Sequence, residues 1–283
     1  MSSAILLISC PDRLGIVAEI TQFLADHRGN IEHADQHIDE QTGTFFMRVT
    51  WNMEGFDIPR SELRTKFTPL AEEFHMHWEL YFSDDIPKSA IFVSKETHCL
   101  FDLLVKHREG HFPTEIKAII SNHTAAAPIA DYFEIPFFHV PKNPRNREEA
   151  ERQEQELLRH NQVEVLVLAR YHRILTREFI KPYQNRIINI HHSFLPAFVG
   201  KNPYAQAYRK GVKIIGATSH YVTAELDAGP IIEQGTERIS HRDSVEDLRR
   251  KGKDLEKIVL SRAVQWHFER KILVYHNKTV VFD

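Results

Sequence analysis

The 283-residue sequence predicts an α/β protein with two domains. In the first part of the chain, strand and helix patterns follow one another in the order βαββαβ, which is the order of a ferredoxin-like unit. In the second part, near-continuous apolar strands alternate with helices, which indicates a mostly parallel sheet covered on both faces. A polar stretch at residues 83–87 separates the two patterns, so we expect domains at residues 1–84 and 88–283.

The elements of the first domain follow from the spacing of its apolar residues. A short apolar run predicts the first strand, and the helical recurrence of Ile16, Ile20 and Leu24 predicts a helix that ends at Gly29. A hairpin with Gly43 in its connection then joins two further strands. The predicted strands are residues 4–9, 31–39, 45–52 and 76–82, and the second predicted helix is residues 61–75.

The elements of the second domain follow from short apolar runs that alternate with amphipathic stretches. The predicted parallel strands are residues 89–94, 115–121, 137–140, 163–169 and 186–190. The predicted helices are residues 99–107, 125–133 and 147–160, with a helical turn at 176–180. A strand pair at 214–222 and 230–238 follows. Asp243 and Glu246 have the spacing of a capping box, which predicts a long helix at 243–271 before a final hairpin.

Composition and charge exclude several classes of protein. The formal charge of −3 gives no electrostatic basis for binding nucleic acid. Cys10 and Cys99 lie far apart without a CxxC pair, which is typical of a reducing compartment. The apolar N-terminal run is too short to span a membrane and is not followed by a cleavage region. We therefore expect a cytoplasmic protein with no membrane or nucleic-acid partner.

Asn189 and His191 lie at the end of an apolar strand. Ligands of open parallel sheets bind beyond the carboxyl ends of the strands, and alternate residues of extended backbone share one face. We therefore expect the amide of Asn189 to lie beside the imidazole of His191, which can exchange a proton near pH 7. Asp227, in a turn-rich loop between two strands, is the candidate acid that orients His191 or handles a proton.

The residue pattern by itself leaves two other interpretations open. Asn189 could satisfy backbone groups at a strand end, with His191 as a structural histidine. A metal ion is the other interpretation, with the candidate ligands His191, His192, His220 and Asp227. Adjacent histidines on extended backbone diverge, however, and the sequence has no HExxH or CxxC ligand pair. We therefore expect no metal at this site.

The residues around this strand resemble the signature of the folate-dependent formyltransferases and formyl hydrolases. That signature begins with Asn-x-His and continues as a Gly-x-x-x-x-Gly-x-Thr-x-His strand and an Asp-x-Gly loop. The matching residues beyond Asn189 and His191 are Ser193, Leu195, Pro196, Gly211, Gly216, Thr218, His220, Asp227 and Gly229. The resemblance spans residues 88–283 and implies a Rossmann-like domain in which Asn189, His191 and Asp227 are catalytic.

The segment at residues 167–175 resembles the folate-pocket loop of the same family. In that family, backbone groups around the Arg-Ile-Leu of this loop contact the pterin ring. The resemblance implies that the folate substrate binds to Tyr171, His172, Arg173, Ile174, Leu175 and His220. His172 departs from the pattern, because relatives usually have Met at this position.

The first domain resembles an ACT domain, on residues 10–17 and on the Gly29-Asn30-Ile31 that follows its first helix. ACT domains are βαββαβ regulatory modules that often pair and often bind amino acids at the first loop. The resemblance implies an amino-acid effector and a homo-oligomer, either a dimer or a tetramer. The implied effector residues are Asp12, Gly15, Ile16 and Asn30. A module that serves only for assembly is an equal alternative.

Two departures distinguish this chain from the transferases that formylate a phosphorylated amine. Those enzymes carry a Gly/Ser-rich loop whose backbone N–H groups bind phosphate, whereas residues 93–100 here lack glycine and contain Glu96. His192 also stands where the transferases have Pro. Together with the ACT unit, both departures resemble the formyltetrahydrofolate deformylases. The implied reaction is hydrolysis of 10-formyltetrahydrofolate to formate and tetrahydrofolate, which serves one-carbon balance and purine supply.

The resemblance also implies a mechanism that needs no cofactor. Water attacks the formyl carbon, the Asn189 amide and a protonated His191 stabilise the oxyanion, and Asp227 passes a proton toward N10 of the folate. Two alternatives stay open. One is a phosphoribosylglycinamide formyltransferase that uses the same formyl donor. The other is an amino-acid-binding protein with an inactive second domain, against which the complete set of three residues argues.

Overall fold

The computed structural model describes residues 2–196 and 203–283, and the chain forms two compact units. The first unit comprises Met1–Ile86, Glu269–Tyr275 and Val280–Asp283. The second comprises Pro87–Phe268 and His276–Thr279. The predicted second domain, residues 88–283, therefore differs from the observed division at its C-terminal end.

The first unit is an antiparallel sheet with two helices. Its elements are β1 (Ser3–Pro11), α1 (Ile16–Asp26), β2 (Asn30–Asp39), β3 (Thr44–Asn52), α2 (Arg60–Glu73) and β4 (His77–Phe82). The strands pair in the order β2-β3-β1-β4. Ile16, Ile20 and Leu24 are buried at helical spacing on α1 and join the core of the sheet. The predicted βαββαβ order is confirmed.

The second unit is a seven-stranded, mostly parallel sheet with helices. Its first elements are β5 (Lys88–Val93), α3 (His98–Arg108), β6 (Glu115–Ser121), α4 (Ala127–Tyr132), β7 (Phe137–His139), α5 (Arg147–His160), β8 (Val165–Ala169), α6 (Arg177–Ile180) and β9 (Ile187–His191). They are followed by α7 (Pro203–Lys210), β10 (Ile214–Tyr221), β11 (Ile231–Arg238) and α8 (Val245–Phe268). The strand order is β11-β10-β9-β8-β5-β6-β7, with β5 to β9 parallel. The predicted α/β class is confirmed.

The strand order reverses at β5, which has β6 on one side and β8 on the other. Loops that leave the carboxyl ends of the strands on the two sides of such a point diverge and form a crevice. The loops that follow β5 and β8 therefore border the place where a ligand is expected. Antiparallel β10 pairs with β9 so that His220 lies opposite Asn189, and Thr218 lies opposite His191.

A C-terminal hairpin of β12 (Ile272–Tyr275) and β13 (Lys278–Val281) ends the described chain. Leu273 and Phe282 pack in one buried cluster with Leu7 and Phe46 of the first sheet. Buried Arg48 donates hydrogen bonds to the backbone carbonyls of residues 269 and 270. These contacts explain why residues 269–275 and 280–283 belong to the first unit. They also end the predicted helix at residue 268 rather than 271.

Both cysteines are buried free thiols. Burial, supported by the charge of Asp12, raises the pKa of Cys10 to about 11, so this thiol is protonated and unreactive at neutral pH. Over residues 2–196 and 203–283, no helix has both the length and the apolar character that crossing a bilayer requires.

Candidate active site

His191 lies at the carboxyl end of β9 and is held from one side by a carboxylate. Its Nδ1 is 3.3 Å from Oδ2 of Asp227. The side chain is only 11% exposed, and its Nε2 has no hydrogen-bond partner within the described ranges. Because Nδ1–H donates to Asp227, the neutral ring leaves Nε2 as a proton acceptor. An unpartnered buried acceptor of this kind is suited to receive a proton from a bound molecule.

Asn189 is oriented by His220 on the neighbouring strand. Nδ1 of His220 is 2.9 Å from the backbone carbonyl of Tyr221, so this nitrogen carries the proton. Nε2 of His220 therefore accepts from the Asn189 amide nitrogen at 3.1 Å. An amide nitrogen carries two hydrogens, and this contact uses one of them. The pairing of β9 with β10 thus fixes the amide as a donor beside His191.

Asp227 is the ionised member of the group. Its Oδ1 is 3.6 Å from Nε2 of His220, and its backbone adopts a left-handed conformation with φ 53°. The hydrogen bond from His191 holds the pKa of the Asp227 carboxyl far below its usual range. Asp227 is therefore a fixed negative charge at neutral pH. It is better suited to orient His191 and stabilise its protonated form than to carry a proton itself.

These three side chains line a cavity of about 320 Å³. The predicted folate-binding residues line it as well: Tyr171, His172, Arg173, Ile174, Leu175 and His220. Two loops form most of the wall, one after β8 and one between β10 and β11. Sequence reasoning missed the apolar wall residues Leu168, Ile180, Val222 and Leu226. Leu168 lies near the carboxyl end of β8 and Val222 directly follows β10, and these positions at strand ends are the signal that could have identified them.

A second cavity of about 910 Å³ adjoins the first and shares Arg170, His172 and His192 with it. Buried Glu256 lies among its lining residues, where Oε2 is 2.8 Å from Nε2 of His98 and 3.4 Å from Nε of Arg170. Although burial favours the neutral acid, these two partners keep the pKa of Glu256 below its ordinary value. The second cavity therefore contains a buried, ionised carboxylate.

Glu96 adds a second carboxylate to this cavity. Arg170 donates to Oε2 of Glu96 through both Nε and Nη2, and Lys253 lies 3.4 Å from Oε1. Burial opposes ionisation, but the charge of Arg170 outweighs it and holds the pKa of Glu96 at about 2. The guanidinium of Arg170 is thus occupied by Glu96 and Glu256. The sequence placed Glu96 in the loop after β5 but gave no indication of its partner.

His192 separates the two cavities. Its ring centroid is 5.1 Å from that of His191, and its side chain lines both cavities. Burial, with the nearby charge of Arg170, lowers the pKa of His192 to about 4, so the ring is neutral at pH 7. In the described chain, the group of His, Cys, Asp or Glu side chains close enough to share a metal ion is His98, Cys99 and Glu256. The ligand set considered from the sequence is not such a group.

Of the predicted effector residues of the first unit, Asp12, Gly15 and Ile16 lie at the start of α1. Asn30 lies at the other end of the sheet, because it pairs with Asn52, which pairs with Ser3 at the start of β1. Gly15 has φ 93°, a conformation that favours glycine, and an added Cβ there would meet nothing within 4 Å. Asp12 and Asn30 are exposed. Ile16, in contrast, is 2% exposed and packs in the core of the unit, so its backbone and not its side chain is available to an effector.

Comparisons with known proteins agree with this architecture. The family described as formyl transferase matches residues 87–264, and the ACT domain family matches residues 4–50. A formyltetrahydrofolate deformylase of Synechocystis sp. is 52% identical over 99% of this chain and 98% of its own length. The crystal structure of a formyltetrahydrofolate deformylase from Pseudomonas syringae pv. tomato has a TM-score of 0.97 and 47% identity, covering 100% of this chain and 95% of that one.

A transferase is less similar. Glycinamide ribonucleotide transformylase 1 from Symbiobacterium toebii has a TM-score of 0.66 and 30% identity, and covers 72% of this chain and 98% of its own. The two proteins share the formyl transferase domain. The fold and the site of this chain therefore define an ACT domain joined to a formyl transferase domain. Within that class, the full-length matches place the chain in the formyltetrahydrofolate deformylase family.

Proposed function

We propose that this chain hydrolyses 10-formyltetrahydrofolate to formate and tetrahydrofolate. The observation that carries the proposal is the His191 imidazole, held at Nδ1 by Asp227 with Nε2 unpartnered in the described chain. The amide of Asn189 lies beside it, oriented by His220. These groups line a cavity whose mostly apolar wall suits a flat ring system. Full-length relatives named formyltetrahydrofolate deformylase support the same substrate.

The reaction follows from these positions. Nε2 of His191 takes a proton from water as the water oxygen bonds to the formyl carbon. The second amide hydrogen of Asn189 donates to the oxyanion that forms. Protonated His191, stabilised by ionised Asp227, then gives its proton to N10 of the folate. The bond between the formyl carbon and N10 breaks, and formic acid leaves and ionises. Water is the only co-reactant, so this mechanism requires no metal or redox cofactor.

The second cavity favours water as the formyl acceptor. It contains the ionised carboxylates Glu96 and Glu256, and Arg170 is occupied by both of them. A phosphate placed beside Arg170 would meet both of these negative charges. The other arginines of this cavity, Arg249 and Arg250, are paired with carboxylates of their own helix. Phosphoribosylglycinamide formyltransferase activity is therefore the second candidate, favoured only by the shared formyl transferase domain.

The test measures the fate of the formyl group. Purified protein with 10-formyltetrahydrofolate is expected to release formate and tetrahydrofolate in equal amounts. Added glycinamide ribonucleotide is expected to leave the formate yield unchanged, because Arg170 is already paired with Glu96 and Glu256 and does not bind its phosphate. Formate production in the absence of any amine supports hydrolysis. Transfer of most formyl groups to the amine would replace the proposal by the transferase, and absence of both products would reject both candidates.

For the first unit we propose an amino-acid effector site at the exposed loop before α1, on a cytoplasmic homo-oligomeric enzyme. Asp12 supplies an exposed carboxylate for an α-amino group, and Gly15 leaves open space beside the backbone of the same loop. Amino acids are expected to change formate release when added to the full chain, with Asp12→Ala abolishing the response. Calorimetry that detects no binding of any common amino acid would leave the unit as an assembly module.

A further inference from the structure

Three charged side chains in the second unit are buried together, away from both cavities. Lys142, Glu151 and Glu154 have side-chain exposures of 2%, 6% and 0%. Nζ of Lys142 is 3.1 Å from Oε1 of Glu151 and 2.9 Å from Oε2 of Glu154. Charges buried this deeply are costly to desolvate and persist where their hydrogen bonds are satisfied. The reaction described above uses none of the three.

The two glutamates connect this cluster to the cavity wall. Oε1 of Glu154 accepts a hydrogen bond of 2.7 Å from the hydroxyl of Tyr171, which lines the catalytic cavity. Oε1 of Glu151 accepts from the backbone N–H of Thr176 at 3.2 Å, and Oε2 accepts from the Thr176 hydroxyl. The cluster therefore fixes both the beginning and the end of the loop at residues 171–176.

A third contact holds the middle of the same loop. Arg147, one helical turn before Glu151 on α5, donates from Nη2 to the backbone carbonyl of Ile174 at 3.0 Å. Ile174 lines the catalytic cavity and is 61% exposed, so its own side chain has few neighbours to hold it. The loop thus depends on charged residues of α5 for its shape.

Lys142 is the cation that holds both carboxylates at the positions where they accept hydrogen bonds from the loop. Burial raises the pKa of the Glu154 carboxyl, and the charge of Lys142 opposes that shift. Glu151 and Glu154 are three residues apart on α5 and face the same side, so they repel each other when both are ionised. Without Lys142, the two carboxylates would separate or take up a proton, and their hydrogen bonds to Tyr171 and Thr176 would change.

We propose that Lys142 is a positioning residue for the substrate cavity, which it shapes through Glu151, Glu154 and the loop at residues 171–176. This inference rests on the proposed function, because it names the residues that set the affinity for the folate. Lys142 does not touch the reacting atoms. Its removal therefore affects KM more than kcat.

The test is Lys142→Met, which keeps an unbranched side chain and removes the charge. KM for 10-formyltetrahydrofolate is expected to rise about tenfold or more, the factor typical of a lost hydrogen bond to a charged group, with little change in kcat. Tyr171→Phe, which removes only the hydroxyl on Glu154, is expected to raise KM in the same direction. In the Lys142→Met background, Tyr171→Phe is expected to add little, because the two act through one network.

Lys106→Met is the matched control. Lys106 is partly buried on α3, pairs with Asp102 at 2.9 Å and Ser261 at 2.6 Å, and lines neither cavity. It is expected to lower the thermal midpoint without changing KM. An unchanged KM in both Lys142→Met and Tyr171→Phe overturns the inference, as does a loss confined to kcat. If Lys142→Met does not fold, Tyr171→Phe decides alone.

A binding measurement separates this inference from the proposed function. Calorimetric titration with tetrahydrofolate measures the affinity of the cavity for the folate without any turnover. A higher Kd in Lys142→Met than in the wild type supports the positioning role even if the wild type releases no formate. Equal Kd values in the wild type and both variants overturn the role, whatever the reaction.

Discussion

Asp227→Asn is expected to lower kcat for formate release by about 10²-fold or more, the loss typical of a disabled acid–base group. The substitution keeps the size of the side chain but removes its charge. Nδ1 of His191 then faces an amide at 3.3 Å instead of a carboxylate. The amide can present its NH₂ group, which would force the proton of His191 onto Nε2 and remove the acceptor that water needs. Folate affinity is expected to change little, because the loop at residues 171–176 is untouched.

The matched control for this substitution is Asp243→Asn. Asp243 is also a carboxylate with a lowered pKa, held by backbone N–H of Ser240 and by Lys251, but it lines neither cavity. Steady-state formate release and tetrahydrofolate binding are measured for both variants. Hydrolysis by Asp227→Asn at a rate near that of Asp243→Asn would contradict the assigned role. His191→Ala is expected to match Asp227→Asn, and the double variant is expected to be only slightly slower, because the pair acts as a unit.

The position of this pair could be predicted from the sequence because it depends on local rules. Asn189 and His191 are two residues apart on extended backbone, and the strand ends at His191. The turn-rich sequence around Asp227 made this residue the candidate acid, and the resemblance implied that it is catalytic. What joins Asp227 to His191 is a contact across 36 positions of sequence, which periodicity alone does not specify. The role of His220 depends on strand register and was recognised only as a substrate contact.

Other features could not be predicted because some residues are buried where the local sequence composition predicts a different environment. Helix α5 is rich in charged residues, which is typical of a solvent-exposed helix, yet Glu151 and Glu154 are buried on Lys142. Lys142, from the loop before α5, pairs with both glutamates and so permits their burial. No local sequence pattern identifies Lys142 as a buried cation. The C-terminal hairpin is a similar case. Leu273 and Phe282 continue the second domain in sequence but pack in the core of the first unit.

Asn189→Ala is expected to lower kcat by about 10² to 10³-fold, the range found when one oxyanion donor is removed. The amide donor develops its strongest interaction only when the formyl oxygen becomes an oxyanion. The loss is therefore expected in kcat, with KM for 10-formyltetrahydrofolate nearly unchanged. The strand itself is expected to persist, because its backbone pairing with β10 does not involve the Asn189 side chain.

Ser219→Ala tests whether the effect of Asn189→Ala comes from the amide or from disturbance of the strand pair. The Ser219 hydroxyl donates to the backbone carbonyl of Asn189 at 3.0 Å, so its loss perturbs the same position without removing the amide. Pre-steady-state formate release at saturating folate is the measurement, since it reports the chemical step. Ser219→Ala is expected to stay close to the wild type, while Asn189→Ala loses the full factor. Comparable losses in both variants would assign the effect to strand geometry. A rate near the wild type in Asn189→Ala would mean that His191 alone stabilises the oxyanion, and the hydrogen bond from Asn189 to His220 would then serve the fold and not the reaction.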